Sequence, residues 1–232
     1  MINLNKALIG LFIVIYCFST ACNNSTTDIL STQDSIMLIN ATPDATGIHI
    51  KFNDETITTN AIIYTQNTNY GLINSGTKQV VTTQPPSNVP LLSLPILLQN
   101  KKVYSVFFAG QITTGKLVYV ATEDDLNLPN TGKSKYRFIN VSENSRTLDF
   151  RLRANNRDSI LISNIPFGSA SNFTEIKPGN YSFKIASRDT TVKDSASLNY
   201  TLTKGKIYTF WAKGLAKGIG NKALGIQALL NK

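Results

Sequence analysis

The stretch that decides the fold reads Leu148-Asp149-Phe150-Arg151-Leu152. Apolar and polar side chains alternate along it, as they do in a β-strand that packs one face against a core and turns the other to solvent. The same alternation occurs one hundred residues earlier as Ile48-His49-Ile50-Lys51-Phe52. We therefore expect two equivalent strands, each with its middle residue buried and with His49 and Asp149 exposed.

A longer internal repeat surrounds these two strands. Ile36-Met37-Leu38-Ile39-Asn40-Ala41 recurs one hundred residues later as Tyr136-Arg137-Phe138-Ile139-Asn140-Val141. Further on, Val103-Tyr104-Ser105-Val106 recurs at an offset of 104 as Ile207-Tyr208-Thr209-Phe210. Ordered correspondence of this kind predicts the duplication of a unit of about 95 residues.

Short strands separated by turn residues account for most of each repeat. Turn signals such as Asn53-Asp54 and Pro178-Gly179-Asn180 recur at the spacing typical of an antiparallel sandwich. The predicted fold class is all-β, with two tandem antiparallel Ig-like β-sandwich domains. We place these domains at residues 35–127 and 133–232, with a linker at residues 128–132.

The N-terminus has the layout of a bacterial lipoprotein. One lysine and an apolar run over residues 7–18 precede small residues and Cys22, so residues 1–21 are predicted to be a signal peptide whose removal leaves an acylated Cys22. Residues 22–34 are then a polar, flexible tether. The alternatives are a plain signal peptide or a transmembrane anchor, although the apolar run is shorter than the roughly 20 residues that span a bilayer.

Location and charge narrow the class of partner. Acylated Cys22 would attach the protein to the outer membrane, where we expect it to face the periplasm, with surface exposure as the alternative. Loss of the signal removes one lysine and lowers the net charge of +9 by one. The densest cluster of cations is interpreted as a solvated basic face: Arg146, Arg151, Arg153 and Arg157. Acidic envelope partners, namely phospholipid headgroups, lipopolysaccharide phosphates or anionic glycans, fit this charge better than nucleic acid does.

Catalytic residue types are scarce. His49 is the one histidine, and its place on the outer face of a strand predicts a solvated side chain rather than a general base. A glycan hydrolase needs two facing carboxylates, but no glutamate of one repeat has a counterpart in the other. These glutamates are Glu55, Glu123, Glu143 and Glu175. We therefore expect no enzymatic activity, no cofactor and no metal ion.

Three further motifs have both a functional and a structural interpretation. Glu123-Asp124-Asp125 could supply oxygens to calcium, but it lacks the spacing of a calcium loop and is interpreted as a solvated linker cluster. The glycine-rich segment 214–225 contains Gly-x-Gly, yet it predicts a hairpin turn better than a phosphate loop, and residues 222–230 are predicted to form a closing strand. Trp211 could stack on a sugar ring, but capping the edge of the core is favoured.

A short motif marks four candidate O-glycosylation sites. Asp followed by Ser or Thr, and then by an apolar residue or Thr, resembles the O-glycosylation sequon of exported Bacteroidota proteins. The hydroxyl residues of these motifs are Ser35, Ser159, Thr190 and Ser195. Ordinary turn chemistry is the alternative explanation, since Asp and Ser both favour turns.

The repeats also resemble a known family. The segment Phe167-Gly168-Ser169-Ala170-Ser171-Asn172-Phe173 and the strand Tyr208-Thr209-Phe210 look like the domain-of-unknown-function 4397 repeats of Bacteroidota lipoproteins. The first repeat departs from this pattern, with Asn67-Thr68-Asn69 where small residues are expected. The resemblance implies a tandem of Ig-like β-domains on the cell envelope, and the family brings no established reaction.

The favoured function is a non-enzymatic cell-envelope lipoprotein that acts as a binding or structural module. Arg151 and Arg153 are its candidate basic contact face, and its expected partners are the membrane, through the lipid anchor, and an envelope glycan or protein. One alternative is an accessory glycan-binding lipoprotein of an outer-membrane uptake system, which would need an exposed aromatic platform. The other is an envelope glycan hydrolase.

Overall fold

The structure, a computed structural model, describes residues 33–154, 157–188 and 195–232. Thr32–Lys232 form one compact unit. Nowhere in the described ranges is there a helix long and apolar enough to cross a membrane. The predicted signal peptide 1–21, Cys22 and all but the end of the tether lie outside the described residues.

The unit is built from short β-strands. The first half contains β1 (Gln33–Asn40), β2 (His49–Phe52), β3 (Glu55–Thr56), β4 (Gly71–Asn74), β5 (Gly76–Thr83), β6 (Pro90–Leu98), β7 (Val103–Ala109) and β8 (Val118–Glu123). The second half contains β9 (Ser134–Asn140), β10 (Leu148–Ala154), β11 (Arg157–Ile165), β12 (Ser169–Ala170), β13 (Thr174–Ile176), β14 (Gly179–Ser187), β15 (Ser195–Leu202), β16 (Ile207–Lys213) and β17 (Gly225–Leu230). A short 3-10 helix, Gly220–Lys222, precedes β17.

These strands form four sheets with the same order in the two halves. The first outer sheet runs β3-β2-β5-β6, and the first inner sheet runs β4-β1-β7-β8. The second outer sheet runs β11-β10-β14-β15, and the second inner sheet runs β12-β9-β16-β17, with β13 also paired to β9. In each inner sheet the first strand of the half pairs in parallel with a later one, β1 with β7 and β9 with β16. Each half therefore has the same strand pairing.

The four sheets stack in layers with three hydrophobic cores between them. The core between the first outer and first inner sheets contains Ile50 and Phe108. Phe150 and Phe210 lie in the core between the second inner and second outer sheets. A third core joins the two inner sheets, and there the rings of Phe107 and Trp211 meet edge to face with their centroids 5.7 Å apart. The inner sheets are thus covered on both faces.

Equivalent asparagines fix the turns that follow β1 and β9. The Nδ2 amide of Asn40 donates to the carbonyl of Ile62 at 2.8 Å, and its Oδ1 accepts from the backbone N–H of Thr42 at 2.9 Å. Asn140 makes the same contacts, with Nδ2 3.2 Å from the carbonyl oxygen of Ile165. The Ile-Asn pair of the repeat therefore has a structural role.

Two glycines are required where the hairpins of the inner sheets begin. Gly110 follows β7 with a φ of +99°, and a Cβ placed there would lie 1.9 Å from the carbonyl oxygen of Lys116. Gly214 follows β16 with a φ of +75°, and its Cβ would lie 2.1 Å from the carbonyl oxygen of Ala223. Because β16 and β17 pair antiparallel, the glycine-rich segment 214–225 is the hairpin connection that the sequence predicts.

The all-β class is confirmed, and the packed sheets have the layers of a sandwich. Ile50 and Phe150 are fully buried, as predicted. The two halves share a core within one compact unit, so their division into two Ig-like domains at 35–127 and 133–232 stays a prediction.

Candidate binding face

The basic charge of the chain belongs to its second half. Residues 33–127 contain five Lys and Arg against seven Asp and Glu, a net charge of −2. Residues 128–232 contain 17 Lys and Arg against six Asp and Glu, a net charge of +11. The sequence analysis identified only a local cluster of arginines, whereas counting the charge of each half separately reveals this asymmetry. The second half therefore carries the whole excess of positive charge.

Two aspartates on the second outer sheet hold four cations in place. The carboxylate of Asp149 lies 2.9 Å from Nη2 of Arg151 and 3.5 Å from Nε of Arg188. The carboxylate of Asp158 lies 2.8 Å from Nζ of Lys184 and 3.6 Å from Nη1 of Arg153. We call the four cations, Arg151, Arg153, Lys184 and Arg188, the basic face.

The prediction that Asp149 is exposed is wrong. Its side chain has 0% exposure, although it lies on the predicted outer face of β10. Arg151 and Arg188 cover it, and its Oδ1 also accepts from the backbone N–H of Asn164 at 2.9 Å. Alternation along a strand thus predicted the side of the sheet but not the burial, because long cationic side chains fold over a short carboxylate.

The side chains of the basic face are accessible to solvent, and positive groups outnumber negative ones there. The side chains of Arg151 and Arg153 are 24% and 43% exposed. The hydrogen bond from Lys184 is the main cause that keeps the pKa of the Asp158 carboxyl below its usual range. The positive charges of Arg153 and Arg151 contribute in the same direction. Two carboxyl groups opposite four cationic side chains leave the face with an excess of basic groups.

Strand register places the basic face in ordered rows. Arg151 of β10 lies opposite Lys184 of β14, and Arg153 lies opposite Ser182. Asp158 of β11 lies opposite Arg153 on the other side. Arg151 and Lys184 therefore stand side by side across β10 and β14, Arg153 lies further along β10, and Arg188 follows directly after β14.

The histidine and the glutamates, which the sequence analysis considered for catalysis and rejected, are separated and engaged in local contacts. His49 is half-buried on β2, and its Nδ1 donates to the carbonyl oxygen of Thr58 at 3.1 Å. Glu123 forms a salt bridge with Lys102 at 2.6 Å. Glu175 accepts hydrogen bonds from Asn130, whose backbone N–H is the first cause of the lowered pKa of that carboxyl. The two remaining glutamates are an exposed one in β3, Glu55, and a half-buried one after β9, Glu143.

The acidic cluster after β8 is not the solvated linker cluster that was expected. Asp124 is buried between the inner sheets, where its Oδ1 is hydrogen-bonded to Nη2 of Arg137. Its Oδ2 accepts from the hydroxyls of Tyr70 at 2.5 Å and Ser105 at 2.6 Å. Burial is the main cause that raises the pKa of the Tyr70 phenol, and the negative charge of Asp124 raises it further. Only the neighbours of Asp124 in the cluster are exposed.

This buried network extends into the second half and leaves no atom of its ion pair free. The Nε of Arg137 donates to the hydroxyl of Thr209 at 3.0 Å, and that hydroxyl donates to Oδ1 of Asn231 at 2.7 Å. Nδ2 of Asn231 in turn donates to the hydroxyl of Tyr70 at 2.9 Å. Because its donors and acceptors satisfy one another, the network is structural. Sequence reasoning missed it, since nothing local distinguishes Arg137 from the exposed arginines of β10.

The expectation for Trp211 is also corrected, because this side chain is buried at 1% exposure between the inner sheets rather than at a core edge. It cannot serve as an exposed platform for sugars.

The structure offers no candidate metal site, since the described ranges hold no group of three or more His, Cys, Asp or Glu side chains that could hold an ion.

The candidate glycosylation sites differ in their surroundings. Ser35 is half-buried in β1 between β4 and β7, whereas Ser159 is exposed on the edge strand β11 and Ser195 is exposed at the start of β15. Thr190 and the lipidation site Cys22 lie outside the described residues. Modification of any of these residues stays a prediction.

Fold and surface together define a class of protein, an all-β unit of four stacked sheets with a basic outer face. Residues 35–151 match the family described as Domain of unknown function (DUF4397). This match spans half of the chain, so the protein belongs to that family. No curated protein matches the sequence.

Two solved structures are similar at low TM-scores. One is a family 26 carbohydrate-binding module from Eubacterium rectale in complex with maltoheptaose, with 10% identity, a TM-score of 0.26, and coverage of 85% of this chain and 95% of that chain. The other is a leucine-rich repeat protein from Bacteroides thetaiotaomicron, with 12% identity, a TM-score of 0.19, and coverage of 77% of this chain and 25% of that chain. At these TM-scores neither structure informs the fold or the ligand of this protein.

Proposed function

We propose that this protein is a non-enzymatic lipoprotein of the cell envelope, anchored through Cys22, that binds an anionic ligand on its basic face. The observation that carries the proposal is the pair of aspartates that hold four cations, two on β10, one on β14 and one directly after β14. Cations fixed in this way lose little conformational entropy when a ligand binds. The net charge of +11 on the second half would also attract acidic ligands before contact.

Binding rather than catalysis is supported by the placement of the titratable groups. General acid and base chemistry needs groups that converge on one reacting atom. Here His49 lies on the first outer sheet and Glu175 lies on β13 of the second inner sheet, and each has a local hydrogen-bond partner. An accessory role in a glycan uptake system is a narrower form of the same proposal, and it would use cations instead of an exposed tryptophan.

The proposal is tested by measuring the affinity of the full chain for a soluble polyanion, poly-L-glutamate, by fluorescence anisotropy. The double variant Arg151→Gln/Arg153→Gln should bind about tenfold more weakly. Lys51→Gln is the matched control, because Lys51 occupies on β2 the position that Arg151 occupies on β10.

Affinity for the polyanion should also fall as salt is added, because exposed cations are screened over about 8 Å at physiological ionic strength. Thermal unfolding of each variant shows whether the fold is intact. Equal loss of affinity in the Lys51 control, or no binding by the unaltered chain, would contradict the proposal.

A further inference from the structure

A strip of hydroxyl and amide side chains lies beside the basic face. Ser182 of β14 stands between Arg153 on one side and Asn199 of β15 on the other. In the next rows Lys184 pairs with Ser197, and Asn180 pairs with Thr201. We call the residues Asn180, Ser182, Ser197, Asn199 and Thr201 the polar strip. Because the basic face and the polar strip share rows of the sheet, one extended ligand can contact both.

The polar strip has free hydrogen-bonding groups. Among the described residues, the side chains of Ser182, Ser197 and Asn199 have no hydrogen-bond partner. Asn180 and Thr201 bond to each other at 2.6 Å. Residues 180–182 and 199–201 also line a shallow depression in the surface. Hydroxyl and amide groups can both donate and accept, so the strip matches a ligand that does the same.

The first outer sheet shows that the fold does not require this polarity. At three outward positions of β5 and β6 it is apolar where the second outer sheet carries a lysine, an asparagine and a threonine, whereas Thr77, Gln79 and Ser93 are polar like their counterparts. In the register of the two sheets, Val81, Pro95 and Leu97 correspond to Lys184, Asn199 and Thr201. Leu97 is 63% exposed at its position. Two sheets with the same strand order thus differ in their outer surfaces at these three positions, where only the second sheet is polar.

From these contacts we infer that the ligand is an acidic polysaccharide. Its carboxylate, sulfate or phosphate groups lie on the basic face, where Arg and Lys form charge-assisted hydrogen bonds with them. Its sugar hydroxyls bind the polar strip through Ser182, Ser197 and Asn199. This inference rests on the proposed function, and it adds that the site recognises a sugar backbone as well as charge.

The test compares two polymers that carry one carboxylate per residue but differ in backbone, polygalacturonate and poly-L-glutamate. The full chain in neutral detergent should bind polygalacturonate more tightly. The double variant Ser182→Ala/Asn199→Ala should bind polygalacturonate about tenfold more weakly while its affinity for poly-L-glutamate stays unchanged. Gln79→Ala is the matched control, because Gln79 occupies on β5 the position of Ser182 on β14.

The outcomes separate this inference from the proposed function. Equal affinity for the two polymers, or an unchanged affinity of the Ser182/Asn199 variant for polygalacturonate, overturns the inference and leaves the proposed function in place. Absence of binding to both polymers overturns the two together. Tight binding of uncharged dextran would overturn the inference that the polysaccharide is acidic, since it would show that binding does not need the basic face.

Discussion

At the scale of the residue, the most constrained groups are the charges between the inner sheets. Arg137 and Asp124 have side-chain exposures of 2% and 0%. Burial lowers the pKa of the Arg137 guanidinium, and the Asp124 carboxylate acts in the opposite direction. Such a pair adds little net stability over an apolar pair, but removal of one partner leaves a buried charge without compensation.

Asp124→Ala should therefore lower the free energy of unfolding by about 3–5 kcal/mol, because Arg137 would stay buried without its carboxylate. Urea titration followed by far-UV circular dichroism measures the change. Glu123→Ala is the control next to it in sequence, and its exposed salt bridge with Lys102 should contribute little. A loss in Asp124→Ala no larger than that of the control would show that Arg137 can reach solvent.

Two buried phenols predict an alkaline limit of stability. Burial raises the pKa of Tyr136 from 10.0 to about 12, and it raises the pKa of Tyr64 to the same value. A pKa that is higher in the folded state contributes stability below pH 10, and this contribution is lost as the pH rises through 12. We expect unfolding in this window, with the phenolate absorbance of the buried tyrosines appearing as the fold is lost. Titration of all tyrosines in a folded protein near pH 10 would contradict the prediction.

At the scale of the element, outer strands could be predicted in more detail than inner ones. Alternation in β2 and β10 correctly predicted that Ile50 and Phe150 are buried, because each outer sheet has one apolar face. The inner strands β7 and β16 are buried on both faces, so their side chains do not alternate and their burial depends on sheets far away in sequence. Trp211 was misjudged for this reason, and Asp124, which follows β8, was misjudged because its partners Tyr70, Ser105 and Arg137 are distant in sequence.

The hairpin glycines allow a test at this scale. Gly214→Ala should lower the free energy of unfolding by roughly 1–3 kcal/mol, because alanine disfavours positive φ and its Cβ would meet the carbonyl of Ala223. Gly71→Ala on the edge strand β4 is the control, since a Cβ there meets no atom within 4 Å. The two variants are compared by urea titration, and equal stabilities would mean that the hairpin can rearrange.

At the scale of the whole molecule, the third core couples the two halves. Phe107 from the first half and Trp211 from the second meet in it, and the Asp124–Arg137 pair crosses it. A shared core of this kind favours unfolding of the compact unit as a whole rather than half by half. Trp211 is the one tryptophan of the chain, so its fluorescence reports on this core alone.

We expect the fluorescence of Trp211 and the far-UV circular dichroism to change at the same urea concentration. Phe150→Ala should shift both curves together and cost roughly 3–5 kcal/mol, because Phe150 stacks between Phe138 and Phe183 with both centroid distances at 5.0 Å. Ile160→Ala, at an exposed position of β11, is the control for the same sheet. Two separate transitions would show that the halves unfold independently.

The parallel pairing of β1 with β7 also bears on the order in which the protein is synthesised and folds. Ser35 lies opposite Val103, so β1, the earliest of the described strands, is synthesised well before its parallel partner β7. Contacts this distant in sequence slow folding, because a long loop must close before they form. During this interval the edge of β1 that will face β7 has unpaired backbone N–H and C=O groups, which makes the nascent chain prone to misassociation with other strands.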